Sequence, residues 1–144
     1  MPGYYEEFEE LGVKDDRTNP IGYGIGLEPM FKGTKLNIIT DVARLEQSMK
    51  EILDTNIGSR FMLPQFGSRL YALVGEPNDF ILAELAAEYT KDALDLWEPR
   101  VNVVNVTAEA YDKFVNISIQ YENRLTGMVG NYTYSLNRDV PEMR

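Results

Sequence analysis

The stretch Leu94-Asp95-Leu96-Trp97-Glu98-Pro99-Arg100-Val101-Asn102-Val103-Val104-Asn105-Val106 holds the change of period that decides the fold. Before Pro99 the apolar spacing is helical: Ile81, Leu82, Leu85, Ala86, Tyr89, Ala93, Leu96 and Trp97 share one broad face, and residues 80–97 contain no Gly or Pro. Asn78 is the expected N-cap, Asp79 suits the first turn, and Pro77 cannot continue a preceding helix. From Asn78 to Trp97 is 20 residues, about 30 Å of helix at about 1.5 Å per residue. Past Pro99 the spacing becomes two. Val101 and Val103 alternate with Asn102, and after Val104 the phase moves by one, so that Val106, Ala108 and Ala110 continue it. Such a slip inside a strand predicts a β-bulge. Asp112-Lys113 makes a turn, after which Val115, Ile117, Ile119 and Tyr121 alternate with Asn116, Ser118 and Gln120. A looser loop over 122–130 leads to a last strand, 131–137, in which Tyr132, Tyr134 and Leu136 alternate with Thr133 and Ser135. Three strands joined by short connections predict an antiparallel meander.

Working back toward the amino terminus, a second main helix is expected to open at Thr40, with Val42, Leu45, Met49, Ile52 and Leu53 on one face and a stop near Asn56, just before Gly58. Gly58, Pro64 and Gly67 mark a loop, and a short helix over 68–74 is expected to bury Leu70, Leu73 and Val74. The fold class is α+β: two main helices and a short helix packed on a three-stranded antiparallel sheet. Residues 40–144 read as one α+β domain. Residues 1–39 read as an N-terminal arm, with Glu6, Glu7, Glu9, Glu10, Asp15 and Asp16 against Lys14 alone in the first 16 positions, and glycine at 22, 24 and 26. That arm is expected to be extended and ordered against a neighbour, or else a frayed terminus. Its Gly-x-Gly-x-Gly run lacks the Lys-Ser/Thr tail of a phosphate loop.

Composition narrows the chemistry. The 144 residues carry a net charge of −9, which argues against nucleic-acid or anionic-membrane partners, since both need clustered positive charge. No Cys or His is present, so disulfides, Cys/His zinc sites and His-dependent triads are excluded, and no cofactor or metal is expected. No apolar run approaches the roughly 20 residues of a membrane span, and the first residues lack the pattern of a signal peptide. A soluble protein made inside the cell is expected.

Carboxylates remain as candidate acids and bases, but Glu84, Glu88, Asp92 and Asp95 fall on the polar stripe of an amphipathic helix, which a solvated face explains. The corner at Glu98-Pro99-Arg100 is more unusual. Pro99 drives Glu98 out of helical geometry, so Glu98 and Arg100 are expected to leave the same side of an extended chain. They then either pair internally or meet a partner. Arg60 and Arg69 flank the other loop and either join that cluster or are solvated. The last strand carries no charge and no proline, so its edge is open to another chain or is covered by this chain's own residues 20–39.

Gly58-Ser59-Arg60, Pro64-Gln65-Phe66-Gly67-Ser68-Arg69-Leu70, Glu76-Pro77 and the helix ending in Trp97-Glu98-Pro99-Arg100-Val101 together resemble the baseplate wedge subunit of contractile-tailed phages. Members of that small family often carry the name tail lysozyme, and relatives occur in type VI secretion baseplates. The resemblance spans about residues 40–138, and the arm lies outside it. It implies a structural protein with a fold like the C-terminal domain of the tail sheath subunit. It also implies other baseplate wedge proteins and the tail sheath protein as partners, in multiple copies around a ring. The location it implies is the virion's tail baseplate, assembled in the host cytoplasm. Glu98, Pro99 and Arg100 match the triplet that the family associates with docking on the wedge core. Arg60, Phe66, Arg69, Tyr132 and Tyr134 are the further candidate partner contacts. The alternative is a peptidoglycan-cleaving tail lysozyme using paired carboxylates; a third reading is an adaptor that binds one peptide strand.

Overall fold

The computed structural model describes residues 23–26, 31–32, 35–36 and 38–139, so the acidic run of 1–16 lies outside the described residues. Two compact units divide at 48. In the first, β1 (Tyr23–Ile25), β2 (Phe31–Lys32), β3 (Lys35–Leu36) and β4 (Ile38–Thr40) form two antiparallel ladders, β1 with β4 and β2 with β3. Tyr23 stands opposite Thr40 and Ile25 opposite Ile38. Within the expected arm, the described residues are thus extended chain paired as short ladders. Backbone donors and acceptors need partners, and these described residues find them in one another.

Helix α1 (Asp41–Asp54) begins in the first unit and ends in the second. Leu45, Met49, Ile52 and Leu53 are buried, the i, i+4, i+7, i+8 stripe of an amphipathic helix. Val42, expected on that stripe, is exposed. A single 3₁₀ turn over Leu70–Leu73 replaces the short helix, burying Leu70 and Leu73 but not Val74.

In the second unit α2 (Phe80–Trp97) packs on β5 (Val101–Ala110) and touches β6 (Phe114–Asn123), which pairs in turn with β7 (Val129–Asn137). The cap of α2 is Asp79 rather than Asn78: its carboxylate accepts from the Leu82 amide at 2.9 Å. The Asn78 amide instead donates to Asp112 at 3.4 Å, across to the β5–β6 turn. Burial on α2 follows Leu82, Ala86, Thr90, Ala93 and Leu94, a narrower stripe than the apolar residues offer, and Ile81 and Leu96 stay exposed. Thr90 is tolerated inside because its hydroxyl donates to the Ala86 carbonyl at 2.7 Å.

The meander is antiparallel throughout, in the order β5-β6-β7. Its register slips between Val103 and Asn105, and the extra residue, Val104, is exposed. That is the predicted bulge. Val101, Val103, Val115, Ile117, Ile119, Tyr121, Tyr134 and Leu136 make the buried face. Tyr121 lies directly opposite Gly130, where an added Cβ would stand 2.7 Å from the tyrosine ring, so a side chain at this position would displace that ring.

Candidate functional site

A helix leaves its last carbonyls without intrahelical partners, and the end of α1 meets this need by drawing in the loop that follows. The Ser68 hydroxyl donates to the Leu53 carbonyl at 2.9 Å, and the Ser68 amide donates to Thr55 at 2.9 Å. This return path runs through Gly67, whose φ is +117° and whose Cβ, if present, would stand 2.2 Å from the Thr55 oxygen. Only glycine fits there. The loop is closed farther out by the Gly58 amide on the Pro64 carbonyl at 2.7 Å.

The folded-back loop brings Phe66 edge-on to Trp97, ring centres 5.1 Å apart, and the Arg60 guanidinium lies over the Phe66 ring, 4.6 Å from its centre. The end of α2 and the loop after α1 are thus one structure. Trp97 and Arg69 share a cleft of about 180 Å³ with Ile57, Tyr89, Asp92 and Leu96. A wider recess of about 480 Å³ is lined by Glu51, Asp54, Thr55, Ser59, Arg60 and Phe66.

Next to Trp97 the chain leaves the helix at Glu98, φ −120° and ψ 79°, outside the helical region that a following proline disfavours. The Val101 amide donates back to the Glu98 carbonyl at 3.2 Å, so the corner is a tight turn and not the extended dipeptide expected. The turn lets Arg100 fork onto Glu98: Nε donates to Oε1 at 2.7 Å and a terminal nitrogen to Oε2 at 2.9 Å. Glu98 is 2% exposed and Arg100 25%, so the carboxylate is interior and the guanidinium reaches the surface. The paired carboxylate raises the Arg100 pKa further, against the opposing effect of burial. The Arg100 carbonyl accepts from the Arg124 amide at 2.9 Å, tying the corner to the β6–β7 turn.

Of the sequence-derived candidates, Arg60, Phe66, Arg69, Glu98, Pro99 and Arg100 come together at this end of the second unit. Tyr134 does not present its side chain outward. It is buried, and its hydroxyl donates to Asp54 at 2.6 Å, joining β7 to the end of α1. Burial first, and then the Asp54 carboxylate, push the Tyr134 pKa far above its ordinary value. Tyr132 lies on the same face of β7, half-buried. The period of two puts both on the face of β7 that carries Leu136; Tyr134 is turned inward there, while Tyr132 keeps part of its surface in solvent. Phe66 is likewise half-buried between Arg60 and Trp97.

Sequence reading missed Phe61, Met62 and Leu63, which are all exposed at the loop's outer end. The signal was present: three consecutive apolar residues between Gly58 and Pro64 belong neither to a helix nor to a strand. Among the described residues no cluster of three His, Cys, Asp or Glu is arranged to hold a metal ion, and no helix is long and apolar enough to cross a membrane.

Comparison with known proteins gives a consistent set. Residues 40–128 match the family model described as baseplate wedge protein gp25. Baseplate protein W of Escherichia phage P2 is 31% identical over 90 residues, covering 62% of this chain and 78% of that one. The crystal structure of a candidate tail lysozyme from Geobacter sulfurreducens superposes with a TM-score of 0.62 at 30% identity, over 69% of this chain and 94% of the other. A chain of the anti-feeding prophage baseplate, seen by electron microscopy, gives 0.58 at 15% identity over 85% of this chain and 90% of its own length, a likeness of fold.

Proposed function

The chain belongs to the baseplate wedge protein gp25 family, and on that premise we propose that it is a structural subunit of a contractile-tail baseplate, completed by neighbouring subunits. One observation carries the reading. Strand β7 runs nine residues with neither charge nor proline, and among the described residues its ladder partner is β6 alone. An undefended edge of that length is a template for strand addition. The partner strand we assign to it is the tail sheath protein, which a sheath-like fold in this domain would suit. The rigid corner at Glu98-Pro99-Arg100 serves the other side of the task. Glu98 positions the Arg100 fork, and Arg100 with Pro99 meets the wedge core.

Multiple copies would stand around a ring, next to other wedge proteins, in the virion's baseplate after assembly in the host cytoplasm. The acidic arm of 1–39 is proposed as an accessory contact. Catalysis is not part of this reading. A glycoside hydrolase needs two carboxylates about 5–10 Å apart across a sugar, whereas Glu84, Glu88, Asp92 and Asp95 are exposed on α2 and both oxygens of Glu98 accept from Arg100.

The test is Thr133→Lys with Ser135→Lys, two exposed positions of β7. The expected result is a folded protein that enters the baseplate but no longer supports a sheath; full-length sheathed tails at normal yield would remove the edge from the mechanism. Arg100→Ala, followed by the same tail yield, tests the corner. Purified protein that clears cell walls, and loses this with Glu76→Gln or Glu98→Gln, would instead establish the lysozyme reading.

A further inference from the structure

The outer end of the loop after α1 is built against the ordinary economy of a surface. Phe61 is 92% exposed and Met62 86%, with Leu63 beside them also exposed. A mobile loop could hide such side chains by collapsing, but this loop is held at its base. The Gly58 amide is bonded to Pro64, the Phe66 amide to Leu63, and Ser59 donates through both its amide and its hydroxyl to the Asn56 carbonyl. Phe66 itself is fixed between Arg60 and Trp97. At the tip Met62 has φ +64°, a left-handed conformation that costs an unbranched L-residue free energy and persists only where the surroundings impose it. The strain therefore serves presentation: two large apolar side chains are held out in water in one shape.

Charge says what they face. Residues 55–75 contain two arginines and no carboxylate, in a chain whose net charge is −9. Arg60 and Arg69 flank the tip in sequence, both exposed and neither in an ion pair among the described residues, although Glu51 and Asp54 share a recess with Arg60 and Asp92 a cleft with Arg69. An apolar knob on a stretch of chain with two exposed arginines and no carboxylate complements an apolar socket with carboxylates at its border. Phe and Arg are the side chains that dominate protein contacts once desolvated, and Met adapts to the shape it enters. An anionic lipid surface would also take an apolar tip with arginines, but the overall charge opposes that approach.

We propose that the 61–63 tip is a preformed anchor that plugs into an acidic-rimmed apolar socket on a different baseplate subunit. The tip is a different segment of the chain from β7 and from the Arg100 corner. Two side chains do not make an interface that typically needs about 800 Å² from each partner; they hold its centre. The inference rests on the baseplate reading, and the experiment separates the two. Full-length Phe61→Asp/Met62→Asp protein is compared with wild type for melting temperature and for its amount in purified baseplates. In parallel, a benzophenone amino acid at position 61 is cross-linked in assembled particles and the joined peptide is mapped.

The expected result is an unchanged melting temperature with incorporation down at least tenfold, recovery with Phe61→Leu/Met62→Leu, and a cross-link to another subunit at a peptide containing Asp or Glu. Wild type present with the double variant equally abundant would overturn the anchor and leave the baseplate reading standing. A cross-link to the same chain or a second copy, or variant-sensitive binding to phosphatidylserine vesicles, would also overturn it. Wild type missing from purified baseplates would overturn the reading beneath it and the anchor with it.

Discussion

The Glu98–Arg100 corner and the 61–63 tip are the two ends of one contrast. The corner carries the charged, motif-like residues, and folding has turned them on each other: a bidentate fork closes on a carboxylate that is 2% exposed. The tip carries no charge and no chemistry, yet its side chains face water. The difference follows from what each group costs when unpaired. A buried charge without its partner costs several kcal/mol, about 3–5 when one member of a pair is removed. An apolar side chain left in water forgoes only about 1.5–3 kcal/mol. A buried carboxylate is therefore paired within the domain, while backbone edges, apolar knobs and the exposed part of a guanidinium remain for neighbours.

Four measurements break or sharpen that contrast, the first of them at the hinge between its two ends. Gly67→Ala puts a methyl against the Thr55 carbonyl at a φ of +117°, so a loss of about 4 kcal/mol is expected in chemical denaturation. Arg100→Ala leaves the Glu98 carboxylate buried and unforked, and about 3 kcal/mol should go. The Glu98→Ala/Arg100→Ala double variant should lose less than Arg100→Ala alone, because no buried charge is left behind; equal losses would show that the pair is not the source of the effect.

Tyr134→Phe removes the hydroxyl that donates to Asp54, for about 1 kcal/mol near neutral pH. The raised Tyr134 pKa adds a sign. The folded state keeps the proton after the unfolded chain, whose tyrosine ionises near 10.0, has lost it. Its contribution is therefore whole below pH 10 and declines as pH rises beyond, and Tyr134→Phe should flatten that alkaline limb. The smallest effect belongs to the tip. Phe61→Ser with Met62→Ser should change stability by less than about 0.5 kcal/mol, since neither side chain is buried. A loss above about 1 kcal/mol would mean that the tip packs internally and the contrast is false.

Much of the framework could be read from local pattern. The 3.6-to-2 change at Pro99, the one-residue slip at Val104 and the turn at Asp112-Lys113 each appear where expected. Every one is a near-neighbour effect, decided by sterics and by which side chains share a face. The misses have another origin. Asn78 and Asp79 are both good caps, and the choice fell to Asp79 because Asn78 is drawn to Asp112 on a turn 34 positions away. Ile81 and Leu96 are apolar residues of α2 that the available surface of β5 does not reach.

What the chain determined by itself is where helices and strands lie and which face of each is apolar, because periodicity is a property of successive residues. It also settled what chemistry is missing, since a chain without Cys or His has no such ligands or nucleophiles to place. What only the tertiary structure decided is the use made of the remaining polar and aromatic groups. Phe66 meets Trp97, Tyr134 meets Asp54, and Arg100 forks onto Glu98. These contacts depend on backbone segments brought together by the sheet, the helix end and one tight turn. Coulomb and hydrogen-bond energies act over a few ångströms of space, whatever the separation along the chain.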